Sequence, residues 1–187
     1  ILNATNKPSL SAIMLEFLIL TAARSSEVRL MQWEEIDFEA RLWTVPAERM
    51  KARIEHRVPL SNRALRILQN QKKKAESISL VFPTVRGKVA TDMIMTKLLR
   101  NHKIKSDIKG RIATAHGFRS SFRNWASETG CSREIAERAL SHTVRNTVEA
   151  AYLRTDLLDK RRIIMDSWAN FVSEKNSNTA KVVNLKG

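Results

Sequence analysis

The sequence predicts an α+β domain, mainly α, in which a helical body carries a small three-stranded antiparallel sheet. Three observations predict it. Apolar residues recur at helical spacing in most segments. Short runs of β-branched and aromatic residues, separated by tight turns, are concentrated at positions 35–60. Serines stand just before several helical runs, where a hydroxyl can accept from free backbone amides.

Residues 9–23 open the chain as a helix, with Leu10, Ile13, Met14, Phe17, Leu18 and Thr21 along one face. Ser25 or Ser26 can cap a short second helix through Met31. Residues 35–38 and 42–46 then read as two strands joined by a turn at Glu39-Ala40-Arg41, and residues 57–60 as a third. The basic segment 49–53 lies between strands two and three. Ser61 or Asn62 caps the next helix, with Leu65, Ile67 and Leu68 inward and Lys72-Lys73-Lys74 solvated beyond them. Residues 80–83 form a buried extended stub, 86–88 a turn, and Thr91 opens a helix to about Asn101. Residues 101–111 are basic and read as loop. From Thr114 onward helices are expected over about 116–128, 133–140 (capped by Ser132), 146–153 and 156–171. Residues 173–179 are linker-like, and 181–185 have the composition of a short strand.

At 187 residues with 43 % hydrophobic content, the chain suits one domain with its own core rather than a disordered basic tail. Lys and Arg outnumber Asp and Glu by 33 to 19, a net charge of +14 that attracts a polyanion, most often nucleic acid. A single cysteine, Cys131, excludes an internal disulfide and a zinc site built from cysteines alone, in keeping with a reducing cytoplasm. The sequence carries no convincing metal-ligand cluster. The apolar stretch 12–23 is interrupted by Glu16 and falls short of the roughly 20 residues a membrane span needs. Neither an initiator methionine nor a secretory signal stands at Ile1, so a longer polypeptide is expected, with further domains before it.

Several side chains could carry chemistry. Arg24 sits at a break between helices, where a guanidinium can bind phosphate through two parallel bonds and Glu27 can hold it in place. By itself it also reads as a surface ion pair. Lys51, flanked by Arg49 and Arg53, lies on a hairpin arm that suits a DNA groove or a solvated loop. His116 and Arg119 are three apart at a helix start and project from nearly the same side; Arg123 extends that polar stripe. Phe118, Phe122, Trp125, Ala126 and Thr129 would root the same helix in the core. His142 closes a helix, where a dipole-stabilised cap is also compatible. Tyr152, the only tyrosine, has a hydroxyl able to attack phosphorus, although an isolated tyrosine is ordinarily packing.

In chain order, Thr21-Ala22-Ala23-Arg24-Ser25-Ser26-Glu27-Val28, Met50-Lys51 with His56-Arg57-Val58-Pro59-Leu60-Ser61, Thr114-Ala115-His116-Gly117-Phe118-Arg119, and Leu140-Ser141-His142 with Tyr152 form one set. This set resembles the tyrosine recombinases, most closely phage and genomic-island integrases, over about residues 9–171. The family often has glycine before the first arginine; Ala23 stands there in this chain.

The resemblance implies a DNA breaking–rejoining fold, with a catalytic domain over 1–172 and a tail over 173–187. The tail's short strand would pair with a sheet edge in cis or in a neighbouring protomer, and N-terminal DNA-binding domains would be absent from this chain. It implies site-specific recombination, integration or excision, through a 3′-phosphotyrosyl intermediate. Tyr152 would be the nucleophile. Arg24 and Arg119 would bind the non-bridging oxygens, supported by Glu27, while Lys51 protonates the leaving 5′ oxygen. His116 would assist proton transfer at the tyrosine and His142 would hydrogen-bond the phosphate. Arg49, Arg53 and Arg123 would contact DNA. No cofactor or metal is implied, since cationic side chains take that role. The implied partner is double-stranded DNA, bound by a tetramer of the full-length protein. The isolated domain would be monomeric and would work in the bacterial cytoplasm, at the nucleoid when on DNA. A type IB topoisomerase and a non-catalytic DNA-binding regulator are the competing readings.

Overall fold

The computed structural model describes residues 8–75, 78–142 and 156–174. Helix α1 (Leu10–Thr21) starts at Ser9, whose hydroxyl accepts from the Ala12 amide at 3.3 Å. It is apolar on nearly every side, as a helix buried all round must be, and Met14, Phe17 and Leu18 are fully covered. Ala22 ends it in the left-handed region, φ 49°, and the chain turns directly into α2 (Ser25–Arg29). The conformation that favours glycine falls at Ala22, one residue before Ala23.

Strands β1 (Ile36–Asp37), β2 (Leu42–Val45) and β3 (His56–Pro59) form an antiparallel sheet in that order. Ile36 and Val58 both face Trp43 across the ladder. Asp37 fixes the first turn by accepting from the Ala40 amide at 2.7 Å. Trp43 buries its ring 5.7 Å from Phe17 and satisfies its indole N–H on Glu35 at 2.9 Å. A buried ring of this size contributes roughly 1.5–3 kcal/mol.

Helix α3 (Asn62–Lys72) is capped by Ser61. The stub at Val81 and Phe82 is buried, and its extended backbone pairs with residues 31–33. Helix α4 (Ile94–Asn101) starts three residues later than Thr91 suggests, because residues 91–93 are taken up by a turn in which Ile94 donates to the Thr91 carbonyl. Within and just beyond residues 101–111, expected to be loop, the chain closes on itself through the isolated Lys105–Ile112 bridge. Met14, Phe17, Trp43, Leu68, Phe82 and Leu99 fill the core between α1, the sheet, α3 and α4.

A second core lies on the other side of α1. Helices α5 (Gly117–Glu128), α6 (Arg133–Ala139) and α7 (Leu158–Ser173) enclose Phe122, Trp125, Ala126, Leu140, Met165 and Trp168. Trp168 donates to the Ile19 carbonyl at 2.7 Å, tying α7 to α1. The two cores meet at the C-terminal end of α1, beside Arg24. Among the described residues no helix is long and apolar enough to cross a membrane. The expected helix at 146–153 and strand at 181–185 lie outside the described residues.

Candidate active site

Arg24 is the residue that begins α2. Its backbone N–H donates to Glu27 Oε2 at 2.7 Å, and its Nη1 donates to Glu27 Oε1 at 2.7 Å. Glu27 is 3 % exposed, so a buried carboxylate grips both ends of one arginine. Its Nη2 donates to the Ser141 carbonyl at 3.3 Å.

Arg119 comes from α5 and is 4 % exposed. Its Nη1 donates to the Ala22 carbonyl, at the end of α1, and its Nη2 to the Leu140 carbonyl, at the end of α6. Its Nε is buried without a hydrogen-bond partner among the described residues. Burial pushes the Arg119 guanidinium down to about 10; the charge of Arg24 adds to this and Glu27 opposes it. It remains a cation at neutral pH. Two guanidinium groups are thus held together against a single buried carboxylate, an excess of positive charge that an incoming anion relieves.

His142 follows α6 and stands beside them. Its Nε2 lies 3.4 Å from Arg119 Nη2, and its Nδ1 lies 2.5 Å from Glu137 Oε2. Arginine can only donate, so for this contact to be a hydrogen bond Nε2 must accept, which assigns the ring proton to Nδ1, facing the carboxylate. The other oxygen of Glu137 accepts from Arg123 Nε at 2.6 Å. Burial alone would raise the Glu137 carboxyl, but the bonds from Arg123 and His142 reverse that and hold it below the ordinary carboxylate range.

Sequence reasoning missed the floor of this region. His56, on β3, hydrogen-bonds the Ala139 carbonyl and is held neutral, its pKa lowered to about 4 by burial and then by Arg161; Glu27 opposes this and Arg119 adds to it. Arg161, on α7, is 2 % exposed. It donates to the Asp156 carbonyl at 2.7 Å, to Asp156 Oδ2 at 2.9 Å, and to the Arg57 carbonyl. Arg57 approaches the same carboxylate at 3.5 Å. Asp156 also accepts from the Leu158 amide at 3.2 Å, and Leu157 between them is in the left-handed region, φ 52°. A sharp, clamped turn therefore joins the segment containing Tyr152 to α7. Two spacings could have hinted at these pairs: Glu137 five residues before His142, and Asp156 five before Arg161.

The fold brings Arg24, Glu27, Arg119 and His142 together. It does not join Lys51 or His116 to them among the described residues. Lys51 is exposed on the β2–β3 arm, and His116 is exposed at the start of α5 while Arg119 turns inward. Arg49 is engaged within the chain, pairing with Glu35 at 2.5 Å and with the Leu30 carbonyl. Arg53 donates to the Glu48 carbonyl at 3.2 Å. Tyr152 lies outside the described residues. No His, Cys, Asp or Glu group among them has the arrangement of a metal site.

A helical body with a three-stranded sheet thus gathers two arginines and a histidine from distant segments around excess positive charge. The sequence matches the phage integrase family over residues 1–157, and the chain belongs to that family. It is 34 % identical over 167 residues to prophage integrase IntA of Escherichia coli (strain K12), covering 89 % of this chain and 40 % of that protein. To the integrase of Enterobacteria phage P4 it is 35 % identical over 181 residues, covering 87 % of this chain and 40 % of that protein. The chain thus spans about two-fifths of the length of these curated relatives. Among solved structures, the integrase of mycobacterium phage Brujita superposes with a TM-score of 0.63 at 20 % identity, over 87 % of this chain and 53 % of that one. The lambda integrase catalytic core superposes with a TM-score of 0.57 at 19 % identity, over 77 % and 86 % respectively. The fold is that of these catalytic domains.

Proposed function

We propose that this chain is the catalytic domain of a site-specific recombinase that integrates or excises DNA by transesterification. The observation that carries the proposal is the pairing of Arg24 and Arg119 over a single buried carboxylate, with His142 alongside. Such an arrangement is costly when empty and becomes favourable around a phosphodiester. As the reaction proceeds, negative charge accumulates on the non-bridging oxygens, and these fixed cations bind the pentacoordinate state more strongly than the starting diester.

Tyr152 attacks the phosphorus. A 3′-phosphotyrosyl bond forms as the bond to the 5′ oxygen breaks, and Lys51 on the β2–β3 arm gives that oxygen its proton. His116 takes part in proton transfer at the phenol, and Glu27 keeps Arg24 aimed. The reverse attack by a 5′-hydroxyl of a second duplex reseals the strand without an added energy source. Asp156 is clamped by Arg57 and Arg161, and four residues of chain span at most about 14 Å between Cα atoms, so the backbone of Tyr152 is tethered to a fixed point. Arg53 and Arg123 add phosphate contacts outside the centre, while Arg49 braces the arm from beneath. The working form is a tetramer of the full-length protein on double-stranded DNA in the bacterial cytoplasm, at the nucleoid; the domain alone is a monomer.

The test is incubation with a nicked suicide duplex followed by a denaturing gel. A covalent protein–DNA band that disappears in Tyr152→Phe is expected; its absence in the unmodified protein overturns the proposal in favour of a binding regulator. Strand exchange between two duplexes, rather than relaxation of a supercoiled circle alone, distinguishes a recombinase from a type IB topoisomerase.

A further inference from the structure

Glu137 has no part in the chemistry set out above, yet it touches the imidazole that does. One of its oxygens is 2.5 Å from His142 Nδ1, and the other is 2.6 Å from Arg123 Nε on α5. The carboxylate is therefore fixed by a second element and cannot swing away from the ring without breaking an ion pair. Its placement has a chemical consequence. With Nδ1–H directed at Glu137, the other nitrogen, Nε2, is left facing Arg119 Nη2, as an acceptor. A phosphate oxygen arriving at Nε2 is itself an acceptor. An imidazole that bridges a carboxylate and a phosphate needs a proton on both nitrogens.

We propose that Glu137 is a positioning residue for His142: it holds the Nδ1 proton, and by its charge lets Nε2 take a second proton from solvent when the scissile phosphate enters. The inference rests on the reading of the pocket as a phosphodiester site. One proton is taken up per occupied site, and the imidazolium then donates from Nε2 to a non-bridging oxygen. Among the described residues the charges around the ring are Arg119 and Arg123 from α5, Arg24 from α2, and the carboxylates of Glu137 and Glu27; His56 of β3 approaches from beyond Ala139 and is uncharged. The phosphate charge tips this balance. Arg119 is held by its bonds to Ala22 and Leu140, so the proposed change is one of the ring.

Two measurements test it. The first is the ¹⁵N spectrum of the His142 ring, assigned with His142→Gln, in Tyr152→Phe protein free and bound to an uncleaved duplex at neutral pH. One protonated nitrogen free and two when bound are expected; a ring that keeps a single proton in the complex overturns the proposal. No change at Glu137 is needed here, so misfolding of a variant cannot shield it. The second is the pH profile of covalent-complex formation on the nicked duplex. In Glu137→Gln the alkaline limb moves down by about one pH unit, a roughly tenfold loss on that limb that is recovered by acidifying, and Glu137→Asp retains the unmodified limb. A Glu137→Gln profile that superimposes on the unmodified one overturns the proposal. Absence of any covalent complex in the unmodified protein, with two ring protons in its DNA complex, would remove the nucleophilic reading and leave the Glu137–His142 pair standing.

Discussion

Arg24 and Arg119 stand 95 residues apart in the chain, yet they donate to adjacent carbonyls, those of Ser141 and Leu140. Each thereby fixes the turn that presents His142, and each is fixed by it. The forked guanidinium is what permits this: one arm takes a backbone carbonyl while the group as a whole remains a cation for a ligand.

Arg119→Lys removes the fork. A lysine cannot reach the Ala22 and Leu140 carbonyls with the same planar geometry, and a buried acceptor is left unpaired. A stability loss of about 1–3 kcal/mol is expected by thermal denaturation. Covalent-complex formation in a single turnover should fall by roughly 10²–10³, the loss typical of removing one donor to a developing anion. A variant as fast as the unmodified protein would separate Arg119 from the chemistry.

Glu27→Gln leaves two guanidinium groups without their buried counter-charge. The expected cost is about 2–4 kcal/mol, at the lower side of the range for a broken buried pair because Arg24 keeps part of its surface in water. Urea denaturation measures it. The same variant should regain more stability on adding inorganic phosphate than the unmodified protein does, since the excess positive charge is then larger.

His56 makes stability depend on pH. Its pKa is lowered from 6.5 to about 4 in the folded chain, chiefly by burial and by Arg161, so between those values the unfolded chain binds the proton more readily. Its contribution is fully present above about pH 6.5 and is lost as pH falls toward 4, with an upper limit of roughly 3 kcal/mol. His56→Gln should flatten the stability profile in that window. An unchanged slope would place the acid sensitivity elsewhere.

Much of this fold was legible because it rests on local signals. Ser61 and Ser132 each cap the helix that their position announced, and the short runs on either side of a tight turn place the sheet. What was not legible depends on partners brought from far along the chain. Arg49 reads as a free cation until Glu35 and the Leu30 carbonyl are found beneath it. Arg161 stands in a Lys-Arg-Arg run that suggests a solvated face, yet it is buried because Asp156 and the Arg57 carbonyl satisfy it. His116 and Arg119 share a helix start, but Arg119 is buried between α1 and α6 while His116 stays exposed.

Asp156→Ala separates positioning from stability. It removes the acceptor for the Leu158 amide and the ion pairs with Arg57 and Arg161, leaving the buried Arg161 without a counter-charge, at an expected cost of about 2–4 kcal/mol. Because the tether to Tyr152 is four residues long, the cleavage rate should fall by roughly 10–100-fold, more than the stability loss explains. Equal, small losses in both would argue against a tethering role.

The most direct measurement is to identify the amino acid that carries the DNA. The complex trapped on a nicked duplex is digested with protease, and the DNA-linked peptide is sequenced by mass spectrometry, together with the polarity of the linkage. The account predicts a peptide containing Tyr152 joined to a 3′ phosphate, with a free 5′-hydroxyl on the released strand. Linkage to another residue, linkage through a 5′ phosphate, or strand breakage without any linked peptide would contradict it.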